Sequence, residues 1–263
     1  MKCDGFLICS MVDYDKMNQW MKYLRRHEDN VFNAIFFDKE NVKEEDILSI
    51  IADVSNFFSI PQPEISSKCN TFAEVLLGEN ANKCELSYNI EMLQKTGINN
   101  RDAFTLCFVH EMAHQMLFRY RFMLFCSERW IQELAADLTA GLYAERHLLA
   151  TGKFKYALSC QKYSITHPDG SLRKKIVECG RTYLERMSVD GETMMEMVIR
   201  MMPAFVYTHY HILESDWGKM TEELELPPSA PKSVCIEELP ESNLLKQAIM
   251  KYRKQKDKDN GTN

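Results

Sequence analysis

Val109-His110-Glu111-Met112-Ala113-His114-Gln115 is the stretch on which the reading of the whole chain turns. It lies in a segment whose periodicity predicts a long helix ending near Arg121, with Asn99 and Asp102 approximating a cap at its start. Two histidines four apart differ by about 40° around a helix of ~3.6 residues per turn, so both imidazoles leave one face and can meet one cation. Glu111 stands beside them. This HExxH spacing is that of a zinc site with an adjacent carboxylate base. Ala103, Leu106, Val109, Ala113 and Leu117 on the same helix suit a core, where a polar His-Glu-His cluster would be costly unless something satisfied it. Taken alone, the motif also fits a pair of core histidines held by hydrogen bonds.

Nineteen residues beyond His114 stands Glu133, in Trp130-Ile-Gln-Glu133-Leu-Ala-Ala-Asp137, within a second long helix expected from about Glu128 to Ala150. Glu133 and Asp137 are four apart and share a face. A zinc ion held by two imidazoles needs a third protein ligand and an open position for water, and Glu133 can be that ligand. Asp137 can then accept the proton on the far nitrogen of a ligating histidine, fixing its tautomer. Ala135, Ala136, Ala140 and Gly141 would let this helix pack closely against the HExxH helix.

HExxH followed by Glu133-Leu-Ala-Ala-Asp137 resembles the gluzincin pattern HExxH...ExxAD of the zinc peptidases of the HtpX and CAAX-prenyl-protease type and their soluble minimal relatives. His167-Pro168-Asp-Gly-Ser-Leu-Arg173 is similar to the HPxxxxR segment of that group. The expected strands Thr71 to Gly78 and Cys84 to Ile90 resemble its edge strand, along which a peptide lies. In size and in carrying HExxH, the chain also resembles the phage-exclusion peptidase Lit and related bacterial defence proteins. The first 60 residues match neither pattern.

The resemblance implies zinc-assisted amide hydrolysis of a peptide or protein substrate. His110, His114 and Glu133 would bind Zn²⁺, which lowers the pKa of a bound water toward ~7. Glu111 would act as general base and then pass the proton to the leaving amine. His167 and Arg173 are candidates for stabilising charge on the carbonyl oxygen, although Arg173 equally fits a buried salt bridge that clamps the site. A zincin-fold sensor, scaffold or defence protein with structural zinc is the alternative. A complete ligand set together with a base favours the enzyme, since a structural zinc needs neither a base nor an open position.

Working outward, the expected fold is α+β and mainly α-helical, a zincin-like metallopeptidase core with a small β-sheet preceding the HExxH helix. An N-terminal lobe over residues 1 to 60 would hold a strand at Gly5 to Cys9, a strand or short helix at Val31 to Phe37, and a helix from about Val42 to Phe58. The last shows Ile47, Ile50, Ile51, Val54 and Phe58 on one face. Ile60-Pro-Gln-Pro63 then breaks the chain. The core would span 61 to 215, with further helices at Leu172 to Met187 and Glu192 to His211 and a kink or boundary at Pro203. A C-terminal extension over 216 to 250, broken by Pro227, Pro228 and Pro231, would lead into a disordered tail at 251 to 263.

Other candidates read as structural. His147 sits about 15 Å along the helix axis from Asp137, too far to share its ion. His209 and His211 are two apart and cannot share a helix face, and Tyr207 beside them adds no ligand pattern. Met194, Met195, Met197, Met201 and Met202 suit an adaptable core. Arg119, Arg121 and Arg129 suit a solvated face.

Composition sets the outer limits. With 32 Lys+Arg against 38 Asp+Glu the chain carries −6, so no global field favours nucleic acid or an anionic membrane. Nine scattered cysteines without a CxxC pair write no disulfide framework or zinc ribbon. The expected compartment is therefore the reducing cytoplasm. No window reaches the ~18 consecutive apolar residues of a membrane span.

Overall fold

Among the described residues, three helices, a three-stranded sheet and one irregular segment position the candidate site. The computed structural model describes residues 42–66, 72–78, 83–119, 129–187 and 191–224, together with Met250 and Lys254. The elements expected at 5–9 and 31–37, most of the turn 79–83, Arg121 and the side chain of Arg119, the prolines at 227–231 and all of the tail but Lys254 lie outside these residues.

The described elements run α1 (Glu44–Phe58), β1 (Glu64–Ser66), β2 (Ala73–Leu77), β3 (Cys84–Tyr88), α2 (Ile90–Lys95), α3 (Arg101–Arg119), α4 (Arg129–Arg146), α5 (Gly152–Ser159), α6 (Gly170–Met187) and α7 (Met194–Glu223). The chain is mainly helical with a small sheet, as the periodicity predicts. Strand order is β1-β3-β2. β2 pairs antiparallel with β3, Ala73 opposite Tyr88 and Leu77 opposite Cys84. β1 pairs parallel with β3, Glu64 opposite Glu85. This third strand was not expected, because three residues after Pro61 and Pro63 are too few to show a period of two.

The HExxH helix α3 is wrapped by protein. Ala103, Phe104, Leu106, Phe108, Val109, Met112, Ala113, Met116 and Leu117 are all buried, and a helix that is apolar on nearly every side belongs in an interior. Tyr88 of β3 meets Phe108 edge-on at 5.4 Å, which seats the sheet on this helix. The cap at its start is Asn100, whose side chain accepts from the Ala103 amide at 2.9 Å. Asn99 instead accepts from the Lys153 ammonium. Two adjacent asparagines offer the same chemistry, and only the tertiary partner of Asn99 separates them.

α4 packs on the HExxH helix, as its small residues suggest, and more closely still on α6. A Cβ at Gly141 would lie 2.1 Å from the Val177 carbonyl oxygen, and one at Gly180 would lie 2.7 Å from that of Leu138. The close approach lets α6 bring its own side chains to the α4 face that carries Asp137. α4 ends at Arg146, earlier than its expected limit, and Leu148 turns the chain with φ 55°. The short helix α5 that follows was not foreseen, since eight residues opening on Gly152 carry little periodicity.

Both expected domain limits near the core run through packed structure. α1 buries Ile47, Ile50, Ile51, Val54 and Phe58 in the same core cluster as α3 and α4. α7 continues through Pro203 and past residue 215 to Glu223. Trp217 and Met220 beyond that limit are buried, with Trp217 meeting Trp130 edge-on at 5.2 Å. Packing on both sides of Pro203 outweighs the hydrogen bond that the proline removes. Among the described residues, no helix is long and apolar enough to cross a membrane.

Candidate metal centre

α3 delivers His110, Glu111 and His114, and α4 delivers Glu133 and Asp137. The imidazole rings of His110 and His114 lie 5.0 Å apart at 89°. His110 Nε2 is 3.2 Å from Glu133 Oε2, and His114 Nε2 is 3.5 Å from Glu133 Oε1. Potential ligand atoms of these three residues all lie within 4.8 Å of one another. Spacing in sequence placed the two histidines on one face, and α3 against α4 adds the carboxylate.

The donor set fits a divalent cation. Glu133 Oε2 is buried and makes no aligned hydrogen bond, although His110 Nε2, His167 Nε2 and Arg173 Nη2 stand 3.2, 3.1 and 3.9 Å from it. A carboxylate oxygen taken from water without aligned donors is costly. An ion among the two imidazoles and this oxygen would satisfy it. Two imidazoles and one carboxylate suit zinc, and the same set also serves non-haem ferrous iron.

Asp137 faces the far nitrogen of His110. Its Oδ1 is 2.9 Å from His110 Nδ1, on the side of the ring away from Glu133, an ion-pair distance without an aligned hydrogen bond. Once the ring is neutral with its proton on Nδ1, Nε2 would be the lone-pair donor facing Glu133 and His114. Burial opposes charge on His110, yet the Asp137 carboxylate and the contact with Glu133 outweigh it and push the metal-free imidazole up to about 10. Burial also opposes charge on Asp137, and Arg173 and His110 hold its carboxyl below the usual range.

Arg173 is a clamp. It is 3% exposed, with Nε donating to Asp137 Oδ2 at 2.7 Å and Nη2 to Asp137 Oδ1 at 3.0 Å. Nη1 donates to Gln161 Oε1 at 2.6 Å, and Nη2 lies 3.5 Å from His110 Nε2. Of the two roles open to it from sequence, the geometry gives it the buried salt bridge. A guanidinium already committed to three hydrogen bonds acts through its neighbours.

His167 reaches the centre from the segment between α5 and α6. Its side chain is 39% exposed, its Nε2 is 3.1 Å from Glu133 Oε2, and its Nδ1 is 2.7 Å from Thr166 Oγ1. It is therefore the site imidazole most open to an incoming molecule. Glu111 is half-buried, and burial pushes its carboxyl up while the imidazoles of His110, His114 and His167 pull it down. Burial likewise works against charge on Glu133, but those same three imidazoles hold its carboxyl well below the usual range.

The remaining candidates lie elsewhere. His147 stacks on Tyr143 at 4.0 Å and meets Phe57 edge-on at 4.9 Å. His209 stacks on Phe205, whose carbonyl oxygen is 3.0 Å from its Nδ1. Met194, Met195, Met197 and Met202 are buried in the core. Gln161, Ser164 and Thr166 were missed by sequence reasoning, and their polar side chains in an irregular segment carry no spacing signal that could have found them.

No protein-family model matches the chain, and no curated protein or solved structure is significantly similar to it.

Proposed function

We propose that this protein is a zinc-dependent peptidase of the gluzincin type, hydrolysing peptide bonds of a peptide or protein substrate. His110, His114 and Glu133 would hold the ion. One observation carries the reading: ligand atoms from two helices converge within 4.8 Å around a buried carboxylate oxygen lacking aligned donors, with Glu111 beside them. When bound, zinc would supply Lewis-acid chemistry, polarising the scissile carbonyl and making water acidic enough to ionise near neutral pH.

The residues of the chain divide the remaining work. Glu111 lies outside the ligand set, takes the proton of the attacking water and passes it to the leaving amine. His167, half open to solvent, can donate to the carbonyl oxygen as negative charge develops there. Among the described residues β2 is an edge strand, packed beside α3, so an extended peptide could pair along it. Ferrous iron has no comparable use for a carboxylate base next to its ligands, which is why zinc is favoured.

The test measures bound metal by elemental analysis, and cleavage of a peptide library, in wild type and Glu111→Gln. Equal zinc in both, with cleavage lost only in the variant, supports the peptidase. Zinc without cleavage in the wild type supports a scaffold or sensor. Iron in place of zinc removes the proposal.

A further inference from the structure

Segment 160–169, between α5 and α6, has no regular structure, yet it is held at closely spaced points. The Trp130 indole N–H, at the start of α4, donates to the Ser164 carbonyl at 2.8 Å. The Gly170 amide, at the start of α6, donates to the Gln161 carbonyl at 3.0 Å. Ser164 closes a turn inside the segment: its amide donates to the His167 carbonyl, and its hydroxyl accepts from the His167 amide at 3.1 Å. A Cβ at Gly170 would lie 1.9 Å from the Leu158 carbonyl oxygen. This path can therefore close only with glycine there.

What the segment delivers is His167, and the third arm of Arg173 meets the same segment at Gln161. Through Asp137 the guanidinium fixes the ring of His110, and through Gln161 it fixes the segment that aims His167 at Glu133. We infer that Arg173 is a positioning residue that sets His110 and His167 relative to each other, with two arms on Asp137 and one on Gln161. The inference rests on the metal-site reading for His110, while its His167 half stands on geometry alone. Lysine could not replace it, since one ammonium on a flexible stem cannot hold a planar two-point contact and a third partner together.

The experiment uses protein labelled with ¹⁵N at histidine, in wild type, Arg173→Lys and Gln161→Leu, with Co²⁺ as the probe ion. Visible absorption gives Co²⁺ affinity, and imidazole ¹H–¹⁵N spectra of the metal-free proteins report each ring. His147, packed against Tyr143 away from the site, serves as the internal control for the fold. Arg173→Lys is expected to weaken Co²⁺ binding by about 10–100-fold, as loss of a partner outside the ligand set does, and to shift the His167 ring signals. Gln161→Leu is expected to shift the His167 signals while weakening Co²⁺ binding less than Arg173→Lys does, because both contacts of the guanidinium with Asp137 remain.

Wild-type-like Co²⁺ binding by Arg173→Lys, or unmoved His167 signals in Gln161→Leu, overturns the inference. Failure of the wild type to bind Co²⁺ or Zn²⁺ overturns the metal-site reading instead, and the His167 shifts then judge the Gln161 arm by themselves. If Arg173→Lys fails to fold, shown by a displaced His147 signal, Gln161→Leu decides alone.

Discussion

Arg173 and Asp137 form a two-point ion pair at 2.7 and 3.0 Å with both side chains removed from solvent. Breaking a buried pair from one side leaves an uncompensated charge, which typically costs about 3–5 kcal/mol. Asp137→Asn should therefore lower the stability of the metal-free protein by that order in urea denaturation. Asp137→Asn combined with Arg173→Met should cost less than the sum of the single changes, because no stranded guanidinium remains. Additive losses would mean that the two groups do not depend on each other.

The approach of α4 to α6 at Gly141 makes a second prediction. Adding one methyl group places carbon 2.1 Å from the Val177 carbonyl oxygen, a backbone atom that cannot swing aside. Gly141→Ala should destabilise by at least about 1–3 kcal/mol, the usual range for overpacking. It should also weaken metal binding, since it pushes Asp137 on α4 away from Arg173 on α6. Ala140→Gly, one residue earlier, loses helix propensity and a buried methyl together, about 2 kcal/mol, without the clash, and should leave metal affinity in place.

These two relationships show what could be read before any coordinates. His110 and His114 followed from the period of a helix, and Glu133 with Asp137 from a second four-residue spacing. The five apolar residues of α1 fell on one buried face for the same reason. The partner of Gly141 could not be read, because a run of small residues states that something comes close without naming it. Gln161 was illegible too, since it acts through a contact with Arg173 made by tertiary folding of an irregular segment. The continuation of α7 past Pro203 depends on buried partners such as Trp130, which local propensity does not contain.

Titration supplies a third prediction. In the metal-free protein His110 is raised to about 10, above the ~6.5 of a free imidazole. Its contribution to stability is fully present below about 6.5 and is lost as pH rises through the folded value. Denaturant midpoints of chelator-treated protein should therefore fall between pH ~6.5 and ~10, and His110→Gln should flatten that window. Asp137 and Glu133 act in the opposite sense. Both are depressed, so their contribution is present above their unfolded values and is lost on acidification below about pH 4.

The cap of the HExxH helix gives a fourth. Asn100 accepts from the Ala103 amide, so Asn100→Ala should cost about 1 kcal/mol within a range of ~0.5–2. Asn99→Ala should cost less, since it loses only a part-buried contact with Lys153. Thermal melts of the two variants under one buffer compare them directly, and the reverse order would move the cap to residue 99.

The edge-on contact of Trp130 and Trp217 turns the fold into its own optical instrument. Two indoles at 5.2 Å and 80° couple their electronic transitions, and one of them is hydrogen-bonded to Ser164 in the segment that carries His167. Near-ultraviolet circular dichroism should carry an indole signature that Trp217→Phe abolishes. Any molecule that shifts segment 160–169 should alter that signature without an added dye, so candidate ligands can be screened by light alone.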